Sequence, residues 1–400
     1  MTKKNTPGCK LRVVMVTGAY YPEVSGAGLQ CRSLVRAASG PELEFRVITT
    51  AVDRSLPLRS DEDEATIIRL RAGGIFSVLR RWLPRLPELI REISGCDVVH
   101  LHGFSRKSYL FSLLGRILGK KIVVKMSSLG EDDPLSVQKG GGLRWLFFRK
   151  AHLYIAPSQA LADAYRNSSL PAEKLHVLPN GVDTSLFCPT TEEEKLRLRI
   201  KLGLPENGLA LVSLGHFSID KRLDFLAHTW SRLECASGQV HLWLVGENRS
   251  EAYEVDNRVT ATVRTASQKP KRPGELATPG KVDNPQDWLR AADIFVLPSV
   301  REGLPNALLE AMSCGLACVA SRLDGITDRV LSYGNEEAAG LLFVPDNPRV
   351  LAAAIGSLAA SGDLRDLLGQ RARAKIENEY RLEAVAETYT RLIRKLTQNY

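Results

Sequence analysis

No apolar run in the sequence reaches the roughly 20 residues that a helix needs to span a bilayer. The longest, around Val13 to Val16 and Ile294 to Leu297, have the length of strands. The opening residues MTKKNTPGCKLRVVMV are basic, yet their apolar stretch is too short for a secretory core and no small-residue cleavage site follows. A cytoplasmic protein is expected. Cysteine is scattered, with seven residues (9, 31, 96, 188, 235, 314 and 318), no Cys-x-x-Cys pair and no histidine at zinc-site spacing. That argues against a disulfide scaffold and a structural zinc module, and suits buried or incidental thiols in a reducing compartment. Cys314 and Cys318, four apart across Gly315, read as the end of a helix and the next strand. Short repeats and low-complexity tracts are also missing, which removes fibrous and disordered classes.

What is present, 25% charged and 44% hydrophobic residues over 400 positions, suits two or so soluble domains of about 150 residues or more. The formal charge of +9 is informative once the chain is halved. Residues 1 to 180 hold 27 Lys and Arg against 16 Asp and Glu, a balance of +11, whereas residues 181 to 400 hold 27 against 29, a balance of −2. The basic excess belongs to the first half. It points that half at nucleic acid, a phosphorylated small molecule or an acidic membrane surface, and no nucleic-acid motif supports the first of these.

Short β-branched runs alternate with amphipathic segments, the pattern of parallel sheets covered by helices on both faces. The first half offers strands at LRVVMVTG, EFRVITT, TIIRL, DVVHLHG, KIVVKMSS and HLYIAPS. The second restarts the pattern with LALVSLG, VHLWLVGE, a weaker ATVRTA, DIFVLPS, ACVAS and GLLFVPD. An α/β protein of two doubly wound domains follows. The turn-rich stretch around Pro179, Asn180, Gly181 and Pro189 sets domains of 1–185 and 186–379, with a C-terminal helix over about 380–400 free to pack back on the first. TASQKPKRPGELATPG, residues 265–280, reads as an exposed loop. Two such domains facing across a cleft would bind ligands beyond the carboxyl ends of their strands.

Two strand-to-helix loops carry the clearest chemistry. After the first strand, TGAYYPEVSGAG brings Gly26, Ala27 and Gly28 to a helix start, where backbone amides can approach a sugar or phosphate, or where glycine serves close packing. It is not a dinucleotide fingerprint, because the third glycine position is Cys31. PSVREGLPNALLEAMSCG, residues 298–315, ends a strand at Ser299, turns at Glu302-Gly303-Leu304 and starts a helix at Pro305. Glu302 then lies at the loop tip and Glu310 one turn into the helix. The amides of Gly303 and Leu304 lie at the positive helix end, suited to an anion.

The Glu-x7-Glu spacing, with EGLPNALLEAM after a strand and NGVD before the second domain, resembles the retaining glycosyltransferases of the two-Rossmann (GT-B) type, family four. VLPNGVDTSLFCP, HLWLVGE, GAYYPEVSGAG, DVVHLHG and YIAPSQALADAY also have counterparts there, so the resemblance covers nearly the whole chain. It implies a sugar transferred from a nucleotide-sugar donor, UDP- or GDP-linked, to a glycan or lipid-linked acceptor. Cell-surface polysaccharide or glycolipid synthesis is the implied setting, with no metal or other cofactor. On that resemblance Glu310 would hold the ribose hydroxyls, Glu302 would lie near the transferred sugar, and the Gly303 and Leu304 amides would lie at sugar or phosphate. Lys221 would meet the diphosphate, Gly246 would line the donor site, and Gly26, Ala27 and Gly28 would form the acceptor or phosphate loop.

Two departures from the family pattern stand out. His216 occupies the place of an expected Arg on the diphosphate, leaving Arg222 as a candidate replacement. Ser127 and Ser128 stand where many members carry a histidine near the reacting carbon. Of His100 and His102, taken to alternate across their strand, His102 is the expected site residue. Glu131-Asp132-Asp133 and Asp61-Glu62-Asp63-Glu64 are expected to be solvated or acceptor-facing charges. The cationic amphipathic segments 73–93 and 141–153 suggest peripheral contact with an anionic membrane, or ordinary domain helices. The rival functional readings are a catalytically impaired sugar-nucleotide-binding protein and a nucleotide-sugar epimerase of the same architecture.

Overall fold

The computed structural model describes residues 10–23, 25–71, 82–233, 239–249, 255–268, 274–333 and 337–398. The chain forms two compact units, Met1–Gly181 together with Leu382–Tyr400, and Val182–Arg381. Each is built on one sheet.

The first sheet contains β1 (Leu11–Val16), β2 (Leu43–Ala51), β3 (Arg59–Glu62), β4 (Ala65–Arg71), β5 (Val98–His102), β6 (Lys121–Lys125), β7 (Leu153–Ala156) and β8 (Leu175–Val177) in the order β3-β4-β2-β1-β5-β6-β7-β8. All neighbours are parallel except the edge pair β3 and β4. The central strands are buried along nearly their whole length, because helices cover both faces and leave no position for a polar alternation. One face packs Val13, Met15, Phe45 and Val47 against the helices Gly26–Ala38 and Leu382–Gln398, the latter contributing Tyr389 and Ile393. The other packs Val14, Val99 and Leu101 against Leu89, Phe111, Phe148 and Tyr165.

The second sheet contains β9 (Leu209–Leu214), β10 (Val240–Val245), β11 (Leu276–Gly280), β12 (Ile294–Leu297), β13 (Ala317–Ser321) and, after the small antiparallel pair β14 (Ser332–Tyr333) and β15 (Glu337–Ala338), β16 (Leu341–Phe343). Its order is β11-β10-β9-β12-β13-β16, all parallel. Its faces pack Trp243, Phe295, Met312 and Ile376 on one side and Trp230, Leu242, Val296 and Ile355 on the other.

Two local expectations are corrected here. ATVRTA is not a strand but part of the helix Asn257–Ser267, whose Val259, Val263 and Ala266 are buried at helical spacing. The third strand of this half lies instead at LATPG, inside the stretch expected to be a loop. It occupies the sheet edge, where Pro279 removes no ladder donor from a central position. Among the described residues no helix is long and apolar enough to cross a membrane.

Candidate active site

In the second sheet the chain builds outward from β9 through β10 to β11, then crosses back and resumes on the other side with β12. The loops leaving β9 and β12 therefore diverge around a gap beyond the strand ends, the place where open parallel sheets hold ligands. Three successive contacts tie these loops together. The Val300 N–H donates to the Asp220 carbonyl at 2.9 Å, the Arg301 guanidinium meets the Asp220 carboxylate at 2.6 Å, and Lys221 Nζ lies 2.6 Å from Glu302 Oε1. The lysine and glutamate singled out from distant sequence positions thus form one pair. Their side chains are 31% and 9% exposed, so the pair stands at a water-facing edge where an anion can compete for the ammonium.

The floor beneath the pair is glycine. Gly246 has φ of +151°, and a Cβ there would come within 2.0 Å of the Gly215 carbonyl oxygen. Only glycine lets the loops after β9 and β10 approach so closely, which they do through Gly215 N–H to Val245 at 3.0 Å and Phe217 N–H to Glu247 at 3.0 Å. Lys221 Cγ lies 3.4 Å from where a Cβ on Gly215 would stand. The half-buried His216 follows in the same loop.

Glu302, Gly303 and Leu304 are buried at the turn, and Pro305 caps the helix Asn306–Ser313 with no side-chain hydrogen bond. The Gly303 amide donates to no acceptor among the described residues. Glu310, half-buried on that helix, likewise makes no side-chain hydrogen bond among them. Loss of surrounding water pushes its carboxyl up to about 7. An ammonium, an unpaired amide and a carboxylate short of donors therefore share one sheet edge. Arg222 differs: in the left-handed region at φ +53°, it gives its guanidinium to Asp346 at 2.7 Å and lies over the Phe225 ring.

In the first unit the corresponding reversal falls between β1 and β5. Ser25 caps the helix that Gly26 and Ala27 begin, and a Cβ on Gly28 would lie 2.1 Å from the Ala19 carbonyl oxygen, so Gly28 is fixed by packing. His102 is buried at the end of β5. Its ring does not alternate with that of His100 but stacks on it at 4.4 Å, as residues two apart on one strand share a face. Burial, reinforced by the His100 ring and the Lys125 ammonium, holds the His102 imidazole well below its usual range. It is neutral. His100 Nδ1 meets the Tyr389 hydroxyl at 2.7 Å.

Ser127 and Ser128 form part of an internal cradle. The buried Asp132 carboxylate accepts the amides of Ser127, Ser128 and Phe104 at 2.9 to 3.1 Å and the Ser127 hydroxyl at 2.8 Å. Asp133 caps the helix Pro134–Lys139 through Ser136 N–H. Asp61 takes the Thr66 hydroxyl, Glu62 meets Arg69 and Asp63 pairs with Arg32. The expectation that these runs are solvated or acceptor-facing is overturned for Asp63, Asp132 and Asp133, whose carboxylates burial holds on internal donors, whereas Asp61, Glu64 and Glu131 are exposed and Glu62 is half-buried. Among the described residues no three His, Cys, Asp or Glu side chains gather as a metal site.

Sequence reasoning missed Asp220 and Arg301, the ties between the loops, for which SIDKR and PSVRE carry no special signal. It also missed Lys125, buried at the end of β6 and bonded to Asn180 at 2.8 Å. A lysine closing the apolar run KIVVK was the available cue.

Residues 24–186 match the model of Glycosyltransferase Family 4, and residues 208–361 match that of Glycosyl transferases group 1. N-acetyl-alpha-D-glucosaminyl L-malate synthase of Bacillus anthracis is 22% identical over 92% of this chain and 93% of its own. Alpha-galactosylglucosyldiacylglycerol synthase of Streptococcus pneumoniae is 28% identical over 60% of this chain and 64% of its own length. In fold, the chain resembles the Anabaena protein Alr3699/HepE, solved in complex with UDP-glucose, with a TM-score of 0.78 at 16% identity over 96% of this chain and 100% of that one. Its two sheets are the Rossmann-like pair of the GT-B glycosyltransferases. The chain belongs to the family-4, group-1 glycosyltransferases and is an enzyme of that class.

Proposed function

We propose that this glycosyltransferase takes a sugar from a nucleoside-diphosphate donor, UDP- or GDP-linked, and passes it with retention to a carbohydrate or lipid-linked acceptor, without a metal ion. The observation that carries the reading is the Lys221–Glu302 pair between the diverging loops of β9 and β12, with the unbonded Glu310 carboxylate on the following helix. A diphosphate offers Lys221 a stronger anionic partner than one carboxylate and accepts the Gly303 and Leu304 amides at the helix start. His216 adds a weaker, uncharged contact from the same loop. Gly246 keeps the loop floor low enough for the donor to enter. A ribose diol supplies Glu310 with the two donors it lacks.

When the ammonium turns to the diphosphate, Glu302 is released toward the sugar, where it orients a hydroxyl or stabilises positive charge at the anomeric carbon. Retention requires the acceptor to attack from the face the nucleoside diphosphate leaves, through an oxocarbenium-like transition state. Lys221 and the two amides absorb the charge that develops on the leaving oxygen. The leaving phosphate takes the acceptor proton. In the first unit, Gly26, Ala27, His102, Ser127 and Ser128 border the acceptor side, with His102 as an uncharged hydrogen-bonding group. The lipid named in the pneumococcal relative supports a lipid-linked acceptor, and the basic first half supports one carrying negative charge, in glycolipid or cell-surface polysaccharide synthesis at the cytoplasmic face.

A thermal-shift panel of UDP, GDP, ADP and their sugars tests the donor, since a bound ligand stabilises by RT ln(1 + [L]/Kd). A UDP or GDP compound should raise the midpoint. No shift with any nucleotide at millimolar concentration overturns the reading.

A further inference from the structure

We infer that three packed helices of the first unit form a docking face for an anionic lipid bilayer. The inference extends the lipid-linked-acceptor reading and rests on it for its biological sense, although its physical basis is separate. The helices are Arg106–Ile117, which starts at the carboxyl end of β5, and Pro134–Lys139 and Gly142–Phe148, which follow β6. The second and third pack on one another, and the third packs on the first.

Single exposed apolar side chains are ordinary on a soluble protein. These are connected. Tyr109, Leu113 and Ile117 lie four apart on one stripe, as do Leu143 and Phe147 on another. The Tyr109 and Phe147 rings stack at 5.9 Å and join the two stripes. At their far end the Arg116 guanidinium bonds the Lys150 carbonyl at 3.0 Å. Beyond the stacked rings the stripes run out to Ile117 at 71% exposed, Leu143 at 61% and Leu113 at 43%, with Leu135 of the neighbouring helix at 47%.

The charge around these residues has one sign. Between Asp97 and Asp163 the sequence holds ten Lys and Arg and only three acidic residues, Glu131, Asp132 and Asp133. Two of the three are buried on internal donors, as described above. Arg106, Arg116, Lys139, Arg149 and Lys150 are exposed, and no carboxylate among the described residues pairs with any of them. Exposed Leu and Ile ringed by unpaired cations suit the acyl and phosphate layers of an anionic leaflet. A nucleic acid would use the cations and leave the apolar stripe without a partner.

The surface differs from the segments expected from sequence. Of residues 73–93, those up to 81 lie outside the described residues and the rest include the helix Leu86–Ser94, which buries Leu89 and Ile93, and 141–153 supply only one of the three helices. Helix Arg106–Ile117 carries the most exposed part.

Co-sedimentation of the full chain with vesicles of phosphatidylglycerol and phosphatidylcholine, against phosphatidylcholine alone, reads the surface directly. Binding should need the anionic lipid and fall steeply when salt is raised from about 0.1 M to 0.5 M. Ile117→Asp combined with Leu143→Asp, and separately Arg149→Glu combined with Lys150→Glu, should each lower vesicle affinity about tenfold or more. Both variants should keep the wild-type nucleotide thermal shift, so that loss of the docking face is distinguishable from failure of the donor reading. Equal binding to neutral vesicles, or both variants sedimenting like wild type, overturns the proposal. So does displacement of the protein from vesicles by single-stranded DNA at equal phosphate.

Discussion

The carboxyl edges of the two sheets share a topology and differ in what their polar groups are left to do. At the edge of the second sheet, Lys221 and Glu302 hold one another in partial water, Glu310 has no donor and the Gly303 amide has no acceptor among the described residues. At the edge of the first sheet, loop groups answer one another. Asp132 gathers Ser127, Ser128 and Phe104, Glu23 takes the amides of Val52 and Asp53, and the Lys107 ammonium meets the Thr50 hydroxyl. The reversal of strand order opens a gap in both units; on the proposed reading the unanswered charged groups of the second mark where an anionic ligand would complete the structure, while the first leaves uncharged atoms such as His102 Nε2 without a partner.

The contrast breaks most readily at Lys221. Lys221→Ala should lower turnover by about 10²-fold or more while circular dichroism stays native, because the charge on the leaving diphosphate loses its fixed cation. Glu302→Gln should fall comparably. Wild-type initial rates from Lys221→Ala with an established nucleotide-sugar donor would remove the diphosphate assignment. On the opposite edge the expected loss is of stability. Asp132→Ala strands three amides and a hydroxyl in a buried site and should cost about 2 to 4 kcal/mol in urea unfolding. Its nucleotide thermal shift should survive. Weakened nucleotide binding at unchanged stability would reverse the roles given to the two edges.

These two edges were unequally legible in the sequence. Glu302 and Glu310 stood out from the residues themselves, because a strand such as DIFVLPS announces the loop and helix start that follow it, whereas Lys221 was singled out only through the family resemblance. The structure pairs Lys221 with Glu302, and their roles are those proposed above. The roles of Ser127 and Asp132 were hidden, since a carboxylate seven residues past β6 reads the same whether it faces water or folds back onto amides. His100 and His102 were misplaced by a misapplied strand period, although the two-residue spacing itself was in plain view. The strand at LATPG was obscured by Pro279, tolerated only because β11 proved to be an edge, and edge position is a property of the whole sheet. Composition located the basic half correctly but could not say that its exposed cations flank Ile117 and Leu143.

Glu310 sharpens the comparison through pH. Its carboxyl, raised to about 7 by loss of water, must be ionised to accept two ribose hydroxyls. Nucleotide affinity should therefore weaken as pH falls below 7, by up to about tenfold per unit, and Glu310→Gln should abolish that dependence. Stability runs the other way. A carboxyl raised in the folded state contributes stability that is present below its unfolded range and is lost as pH rises through 7. Glu310→Gln should accordingly melt higher than wild type at pH 8 and close to it at pH 5, in the absence of nucleotide. Equal melting at both values would mean that the carboxylate is better solvated than its setting indicates.

The smallest effect is expected at Arg222, and it decides how the loss of an arginine at His216 is met. Arg222 begins the helix Leu223–Trp230 and directs its guanidinium to Asp346 at 2.7 Å, away from any role that Lys221 already fills. Partly exposed pairs of this kind are worth about 0 to 1 kcal/mol. Its φ of +53° is also one that glycine adopts more readily, so Arg222→Gly exchanges a modest ion pair for relief of backbone strain. Turnover in Arg222→Gly should stay within about threefold of wild type, because the diphosphate charge rests on Lys221 and the helix-start amides. A fall beyond tenfold, with Asp346→Ala left at wild-type rate, would mean that Arg222 leaves Asp346 for the donor and supplies the guanidinium that His216 cannot.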